Sequence, residues 1–318
     1  EIYLVFVVFL FVLAVFDLMV GVSNDAVNFL NSAIGAKVAK FRTIIIVATV
    51  GVFMGATMSN GMMEVARNGV FHPAMFSLKE LMFIFLAVMI SDVILLDIFN
   101  NLGLPTSTTV SLVFELLGGT TAFVLLKLAN DTTGLTVGDL MNTEKALGMI
   151  MAIFVSVAIA FFFGIVLQYI SRLVFTFTYK KNLKWKIGIF GGVATTAIFY
   201  FMLFKGIKSM SFVTPEIYEY IQNHTLAILG ICFLASTAIM QFLYFLKVNV
   251  FKILVLMGTF ALAMAFAGND LVNFIGVPLA GYSAYTDFAA SGASDPSTFM
   301  MSSLEGPAKS PMIFLVAA

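Results

Sequence analysis

The sequence predicts an all-α, multi-pass membrane protein, and three observations carry that reading. Of 318 residues, 61% are hydrophobic and 11% are charged, with a mean hydropathy of +1.04. Soluble domains carry about 25% charged residues, so so few could not coat a soluble protein of this size. Apolar stretches without a single charge run 43–63, 146–171, 187–204, 225–246 and 253–269. Each is near or above the roughly 20 residues that cross a hydrocarbon layer of about 30 Å as a helix. None shows the alternation over about ten residues that marks a barrel strand. A soluble enzyme and a nucleic-acid binder are thereby excluded. With 17 basic and 17 acidic residues, net charge points to no polyanionic partner. The single cysteine, Cys232, permits neither a disulfide framework nor a thiolate metal cluster.

Taken in order, 2–22 and 81–98 add two apolar segments that hold acids, and 105–129 adds one with a Gly-, Ser- and Thr-rich opening. The total is about eight crossings, with another beginning near residue 311. Loop charge sets their direction. Loops 37–42, 172–186 and 247–252 carry ten Lys and Arg and no acid, whereas 64–80, 130–145 and 205–224 hold seven acids against five basic residues. By the positive-inside rule the N-terminus lies outside, in a multi-pass protein of the cell membrane. Lys127, near a span end, is expected to snorkel to the interface. Gly118, Gly119, Gly191 and Gly192 are expected to let helices approach closely.

Residues 23–29 read Ser-Asn-Asp-Ala-Val-Asn-Phe, and residues 268–274 read Gly-Asn-Asp-Leu-Val-Asn-Phe. Each copy follows a long apolar segment. By loop parity the first ends an outside-to-inside crossing and the second an inside-to-outside one, which is the arrangement of an inverted-repeat transporter. From Ile2 to Lys37 a continuous helix would span roughly 52 Å, well beyond the hydrocarbon core. Asn and Asp side chains compete for backbone hydrogen bonds, so each copy is expected to break its helix. Broken backbone at that depth must face protein or water. The chain then divides into 1–171 as the first inverted repeat, 172–249 as connecting transmembrane helices, and 250–318 as the start of a second repeat.

The two Gly/Ser-Asn-Asp-x-x-Asn copies, with Gly103-Leu104-Pro105-Thr106-Ser107-Thr108-Thr109, resemble the PiT family of inorganic phosphate transporters, of the sodium/phosphate symporter type. In that family a GANDVAN-type signature occurs once in each inverted half, and a GLPxSTTH-type element follows the first. Three departures stand out. Val110 replaces the usual His, Asp92 and Asp97 lie where members often have Trp or Asn, and Glu115 replaces a small or apolar residue. A second Ser-Thr-Thr element is expected about as far after Asn269 as Pro105 lies after Asn24, so the second repeat is expected to be incomplete within this sequence. The resemblance implies a re-entrant or discontinuous Pro105–Thr109 segment. It also implies symport of inorganic phosphate by alternating access, with sodium as the coupling ion, no other cofactor and no enzymatic activity.

The residues themselves suggest how an anion could be held. Asp17, Asp25, Asp92, Asp97, Glu115 and Asp270 lie in or beside apolar spans, and no Arg accompanies them. Intramembrane acids are costly and mark cation or proton sites. Asp17 and Asp97 read equally well as structural acids. Glu115 falls seven residues after Thr108 and shares its helix face, as either a cation ligand or a buried protonated acid. The expected phosphate ligands are Asn24, Asp25, Asn28, Thr106, Ser107, Thr108, Thr109, Asn269, Asp270 and Asn273. The expected sodium ligands are Asp25, Asp270, Asn24, Asn269, Glu115 and Asp92. Half-helix N-termini would add N–H groups. Expected partners are inorganic phosphate, sodium ions and the lipid bilayer, with a homodimer as a further expectation. A carrier of sulfate or another oxyanion and a proton-coupled phosphate carrier are the alternatives. A passive channel or a membrane enzyme acting on a lipid phosphate is less favoured, the enzyme because no catalytic His, Cys or metal cluster is evident.

Overall fold

Sequence and local chemistry account for the ends of several helices. Ser77 and Glu80 form a capping box: the Ser77 hydroxyl accepts from the Glu80 N–H at 3.3 Å, and the Ser77 N–H donates to Glu80 Oε2 at 2.8 Å. This starts α3, Leu78–Asn101. Ser107 caps α4, Thr108–Ala129, by accepting from the Val110 N–H at 3.4 Å. Gly292, at φ 70°, ends α11, Leu271–Ser291, in the left-handed conformation that glycine adopts freely. The other helices are α1 (Ile2–Gly35), α2 (Phe41–Thr57), α5 (Val137–Leu140), α6 (Thr143–Phe175), α7 (Lys186–Gly206), α8 (Pro215–Asn223), α9 (Thr225–Phe245) and α10 (Val250–Asn269). The computed structural model describes residues 2–57, 69–130, 134–176, 183–206 and 215–305. Among these there is no strand, only isolated bridges at Phe71–Met141 and Ser77–Met300.

Among the described residues six stretches are long and apolar enough to cross a membrane: α1, α3, α4, α6, α9 and the stretch of α10 and α11. Shorter apolar helical segments at 41–56 and 186–202 make eight, the number expected from hydropathy. The apolar window of α6 has no buried residue. A helix apolar on all sides and covered by no protein belongs against lipid.

The chain forms two compact units. The first comprises 1–27, 59–153 and 267–318. Its core joins Leu10 and Ala14 of α1, Leu81, Phe85 and Met89 of α3, Leu112 and Leu116 of α4, and Val277, Ala280 and Ala284 of α11. Gly281 of α11 lies 2.7 Å, at the position of an added Cβ, from Leu10, so any side chain there would displace the leucine. Gly119 meets Val88 at an ordinary 3.6 Å, whereas Gly118 faces open space, so close packing explains Gly119 and not Gly118. Lys127 does not simply reach outward. It pairs with Glu80 at 3.0 Å, donates to the Met75 carbonyl at 2.7 Å, and sits 5.1 Å from the centre of the Phe76 ring.

The second unit comprises 28–58 and 154–266. Here α7 and α9 pack through glycines: a Cβ on Gly191 would lie 2.8 Å from Met240, and one on Gly192 would strike Thr237. Small residues bring membrane helices close enough for dispersion to hold them, as expected for this pair. Phe175 packs edge-on to Phe190 and Phe251, with ring centres 5.0 and 5.3 Å apart. Gly51 of α2 approaches the Phe260 carbonyl of α10. The chain passes between the two units four times, and two of those passages, at Val27–Asn28 and Phe266–Ala267, lie in or next to a signature copy.

The two copies differ in backbone. At the second, α10 and α11 are separated by Asp270 alone, which keeps right-handed helical backbone at φ −89° and ψ −29°, so the interruption is a single residue rather than a full break. At the first, α1 runs unbroken through Asn24 and Asp25. The reason is a long-range contact: the Asn24 amide bonds to the backbone of Leu104 and Thr106, not to its own helix, and so does not compete with the helical ladder.

Candidate functional site

The site begins with Asn24, on α1 and 6% exposed. Its Nδ2 donates to the Leu104 carbonyl at 2.9 Å, and its Oδ1 accepts from the Thr106 N–H at 2.9 Å. One planar amide thus pairs with both sides of Pro105, a residue with no N–H of its own to offer. The Pro105 segment is the short connection between α3 and α4, and Asn24 fixes its height beside α1. Thr106 and Ser107 follow, with Ser107 exposed and its hydroxyl engaged in the cap of α4.

Thr109, on the first turn of α4, joins this connection to the second signature copy. Its hydroxyl donates to Asp270 Oδ1 at 2.9 Å and accepts from Asn273 Nδ2 at 2.9 Å. Asn273 is 1% exposed, and its Oδ1 is a buried acceptor that no donor among the described residues reaches. Asp25, 3% exposed, interacts electrostatically with Asp270 and lies beside the Thr108 hydroxyl. The first unit therefore gathers Asn24, Asp25, Thr106, Thr108, Thr109, Asp270 and Asn273. The N-terminal end of α4, with its outward N–H groups and partial positive charge, lies at the same place.

Five expected ligands are not in that group: Asn28, Ser107, Asn269, Asp92 and Glu115. Asn28 is exposed and belongs to the second unit. Asp92 and Glu115 stand with Asp17, in a cluster of their own. The side chain of Asn269 lies outside the described residues. Asp97 is exposed and accepts from the Asn101 amide at 3.0 Å. Two partners were not foreseen: the Leu104 carbonyl and the Thr106 N–H, main-chain groups to which residue identity gives no clue.

Chemically, the arrangement offers hydroxyl and backbone N–H donors for an anion next to two carboxylates. A doubly negative pair of this kind repels an anion unless cations are present. The oxygens of Asp25, Asp270, Thr109 and Asn273 are the hard donors that such cations take.

Comparison with known proteins bears on the family and the fold. A family model described as the phosphate transporter family matches residues 21–307, a span that takes in both signature copies and the Pro105 element. Among solved structures, one described as the sodium-dependent phosphate transporter aligns with a TM-score of 0.65 at 18% identity, covering 99% of this chain and 72% of that one. No curated protein sequence matches. The fold is that of a phosphate transporter, and the residues that assemble the site lie inside the matched span. The chain belongs to the phosphate transporter family.

Proposed function

We propose that the protein is a sodium-coupled symporter of inorganic phosphate, working by alternating access across the cell membrane with its N-terminus outside. The observation that carries this reading is the meeting of Asp25 and Asp270, one from each signature copy, beside Thr109 and the N-terminus of α4. Sodium bound by Asp25, Asp270 and the Asn273 oxygen cancels the carboxylate charge, and Asn269 is assigned to the same set. Phosphate then meets the Thr108 and Thr109 hydroxyls, the Asn273 amide and the α4 N–H groups, with Thr106 and Ser107 contributing as the site closes. With no basic residue in the group, neither ion is held well without the other, and this mutual dependence is what symport requires. The name of the structural neighbour, a sodium-dependent phosphate transporter, supports the choice of ion.

Alternating access draws support from the division of the chain. Two of the four passages of the chain between its compact units lie in or next to a signature copy. The test is uptake of labelled phosphate into proteoliposomes. An inward sodium gradient should drive accumulation above equilibrium, choline should not replace sodium, and excess sulfate should not compete. Asp25→Asn should abolish the sodium-dependent component. Equal uptake in sodium and choline would remove sodium from the mechanism.

A further inference from the structure

The second unit carries a groove for which phosphate transport has no use. It lies where α9 packs against the start of α7, and Trp185, Ile189, Leu234, Ala238, Gln241 and Phe245 are among the residues that line it. Its volume is about 670 Å³, a size that suits a small-molecule ligand. Lys184, in the turn that leads into α7, also lines it and is exposed. An adjoining cavity of about 450 Å³ shares Tyr244 and Phe245 with the groove and adds Lys247.

The lining changes character along α9. At one end stand the two exposed lysines, Lys184 and Lys247, with the chain's one tryptophan, Trp185. Lys and Trp are the side chains that settle at the boundary between membrane and water. Gln241 comes next, six residues before Lys247. A Cβ on Gly188 would lie 2.6 Å from its Oε1, so the side chain missing from α7 is what admits the amide. Among the described residues no hydrogen bond engages that amide. An amide without a partner is costly in hydrocarbon. Beyond Gln241 the walls are Ile189, Ala238 and Leu234, and the Thr237 hydroxyl is buried against α7. Phe245 to Leu234 is a rise of about 16 Å, roughly half of a hydrocarbon core of about 30 Å. The groove therefore has the depth of one leaflet, too short for the spanning helix of a partner.

Charge narrows the occupant further. No acid occurs between Glu144 and Glu216, or between Glu219 and Asp270. The acids of the second unit, Glu216 and Glu219, stand on α8, which leads into the opposite end of α9. Lys184 and Lys247 thus have no carboxylate at their end of the unit. Lys186, by contrast, is held by the Val174 carbonyl at 3.0 Å. Lys247 is placed at φ 61°, a backbone position at the end of a helix that ordinarily favours glycine. A cationic mouth, an unpaired amide and an apolar trough, in that order, match an anionic amphiphile. A free anion has no use for the trough, and a zwitterionic lipid offers the lysines no net charge.

We propose that this groove binds an anionic phospholipid. Lys184 and Lys247 hold its phosphate, the Gln241 amide donates to an ester carbonyl, and one acyl chain lies along Ile189, Ala238 and Leu234. The site belongs to the second unit, whereas the signature site belongs to the first.

Trp185 makes the test direct, because no other tryptophan contributes to the signal. The purified full chain is placed in nanodiscs of equal parts phosphatidylglycerol and phosphatidylcholine with matched acyl chains. Bromine, which quenches a nearby tryptophan, is carried by the chains of one lipid or of the other. Brominated phosphatidylglycerol should quench more strongly, with a preference of at least about fivefold, the enrichment that one lysine beside an anionic headgroup supplies. Lys184→Gln combined with Lys247→Gln should bring the two lipids level. Ala238→Phe, which fills the trough, should also remove the preference. Equal quenching by the two lipids in the wild type overturns the proposal, and that reading needs no variant to fold. A preference that survives in either folded variant overturns it as well. Loss of the preference on adding excess inorganic phosphate, with chloride at the same ionic strength inert, would mark a free-anion site and overturn the lipid assignment. Quenching by neither lipid, in particles that hold two copies of the chain, would give the groove to a second copy and likewise overturn it. None of these readings depends on what the protein transports.

Discussion

The ring of Phe274 rests on the backbone of Gly21 so closely that a Cβ on Gly21 could not be accommodated. Phe274 is 0% exposed, so its ring has nowhere to retreat. Gly21→Ala should therefore lower stability by roughly 1–3 kcal/mol, the usual cost of overpacking. Gly118, in the middle of α4 with open space around it, is the control. There alanine should stabilise the helix by about 0.5–1 kcal/mol by reducing the freedom of the unfolded chain. Thermal unfolding midpoints of the two variants in one detergent should move in opposite directions.

The Asn24 clamp leads to a separate expectation. Asn24→Asp is nearly isosteric but cannot donate, and it would set a carboxylate against the Leu104 carbonyl. Loss of this buried bond should cost roughly 1–3 kcal/mol. Because the clamp positions the segment before α4 rather than the bulk of the fold, the cost should fall on the site. KM for phosphate should rise, and cleavage by a protease at Leu104–Ser107 should quicken. A variant with wild-type KM and unchanged cleavage would show that Asn24 does not hold the segment.

How much of this was legible beforehand depends on where the determining interaction lies. The eight apolar segments were legible, since the bilayer acts on composition alone and each segment reports for itself. The capping roles of Ser77 and Ser107 depend on residues a few places away, well within reach of a sequence pattern. The continuity of α1 was not legible. It turns on Asn24 finding the backbone of Leu104 and Thr106, some eighty residues on, and such main-chain partners leave no trace in residue type.

Lys127 and Glu80 separate anchoring from transport. Their ion pair at 3.0 Å is partly exposed, with side chains 25% and 27% accessible, so solvent screening reduces its worth. Lys127→Met should cost about 0.2–1 kcal/mol for the pair, with a further contribution from the bond to the Met75 carbonyl. The pair's share should shrink at high salt. The sodium concentration for half-maximal uptake should not change, since the pair lies apart from the signature site. A shift in that concentration would place Lys127 in the coupling path.

Asp139 offers a pH test outside the membrane-spanning helices. Hydrogen bonds from the Thr136 hydroxyl and N–H, at 2.6 and 2.8 Å, hold its carboxyl below the ordinary carboxylate range. A depressed folded-state pKa means that the stabilising effect is present above the unfolded value of 3.8 and is lost as pH falls through the lower, folded one. Amide exchange in Val137–Leu140 should be faster in Asp139→Asn than in the wild type at neutral pH. The two proteins should converge in strong acid. A difference that persists there would assign the effect to shape rather than charge.

Thr109 gives the sharpest reading of the signature site, because one hydroxyl bonds both Asp270 and Asn273. Thr109→Val keeps the volume and removes the donor and the acceptor together. Among the described residues the Asn273 side-chain amide then keeps only its long contact of 3.5 Å to Asp270 Oδ1. A hydrogen bond to a charged group contributes roughly 1.5–3 kcal/mol, and about 1.4 kcal/mol corresponds to tenfold in affinity. If Asp270 and the Asn273 oxygen bind sodium, their positions loosen together, and half-maximal uptake should need at least roughly tenfold more sodium. Thr109→Ser restores the hydroxyl without the methyl group and should recover most of that loss. If sodium dependence is the same in Thr109→Val and wild type, Thr109 does not organise the cation ligands. If phosphate KM alone rises, the hydroxyl serves the anion instead.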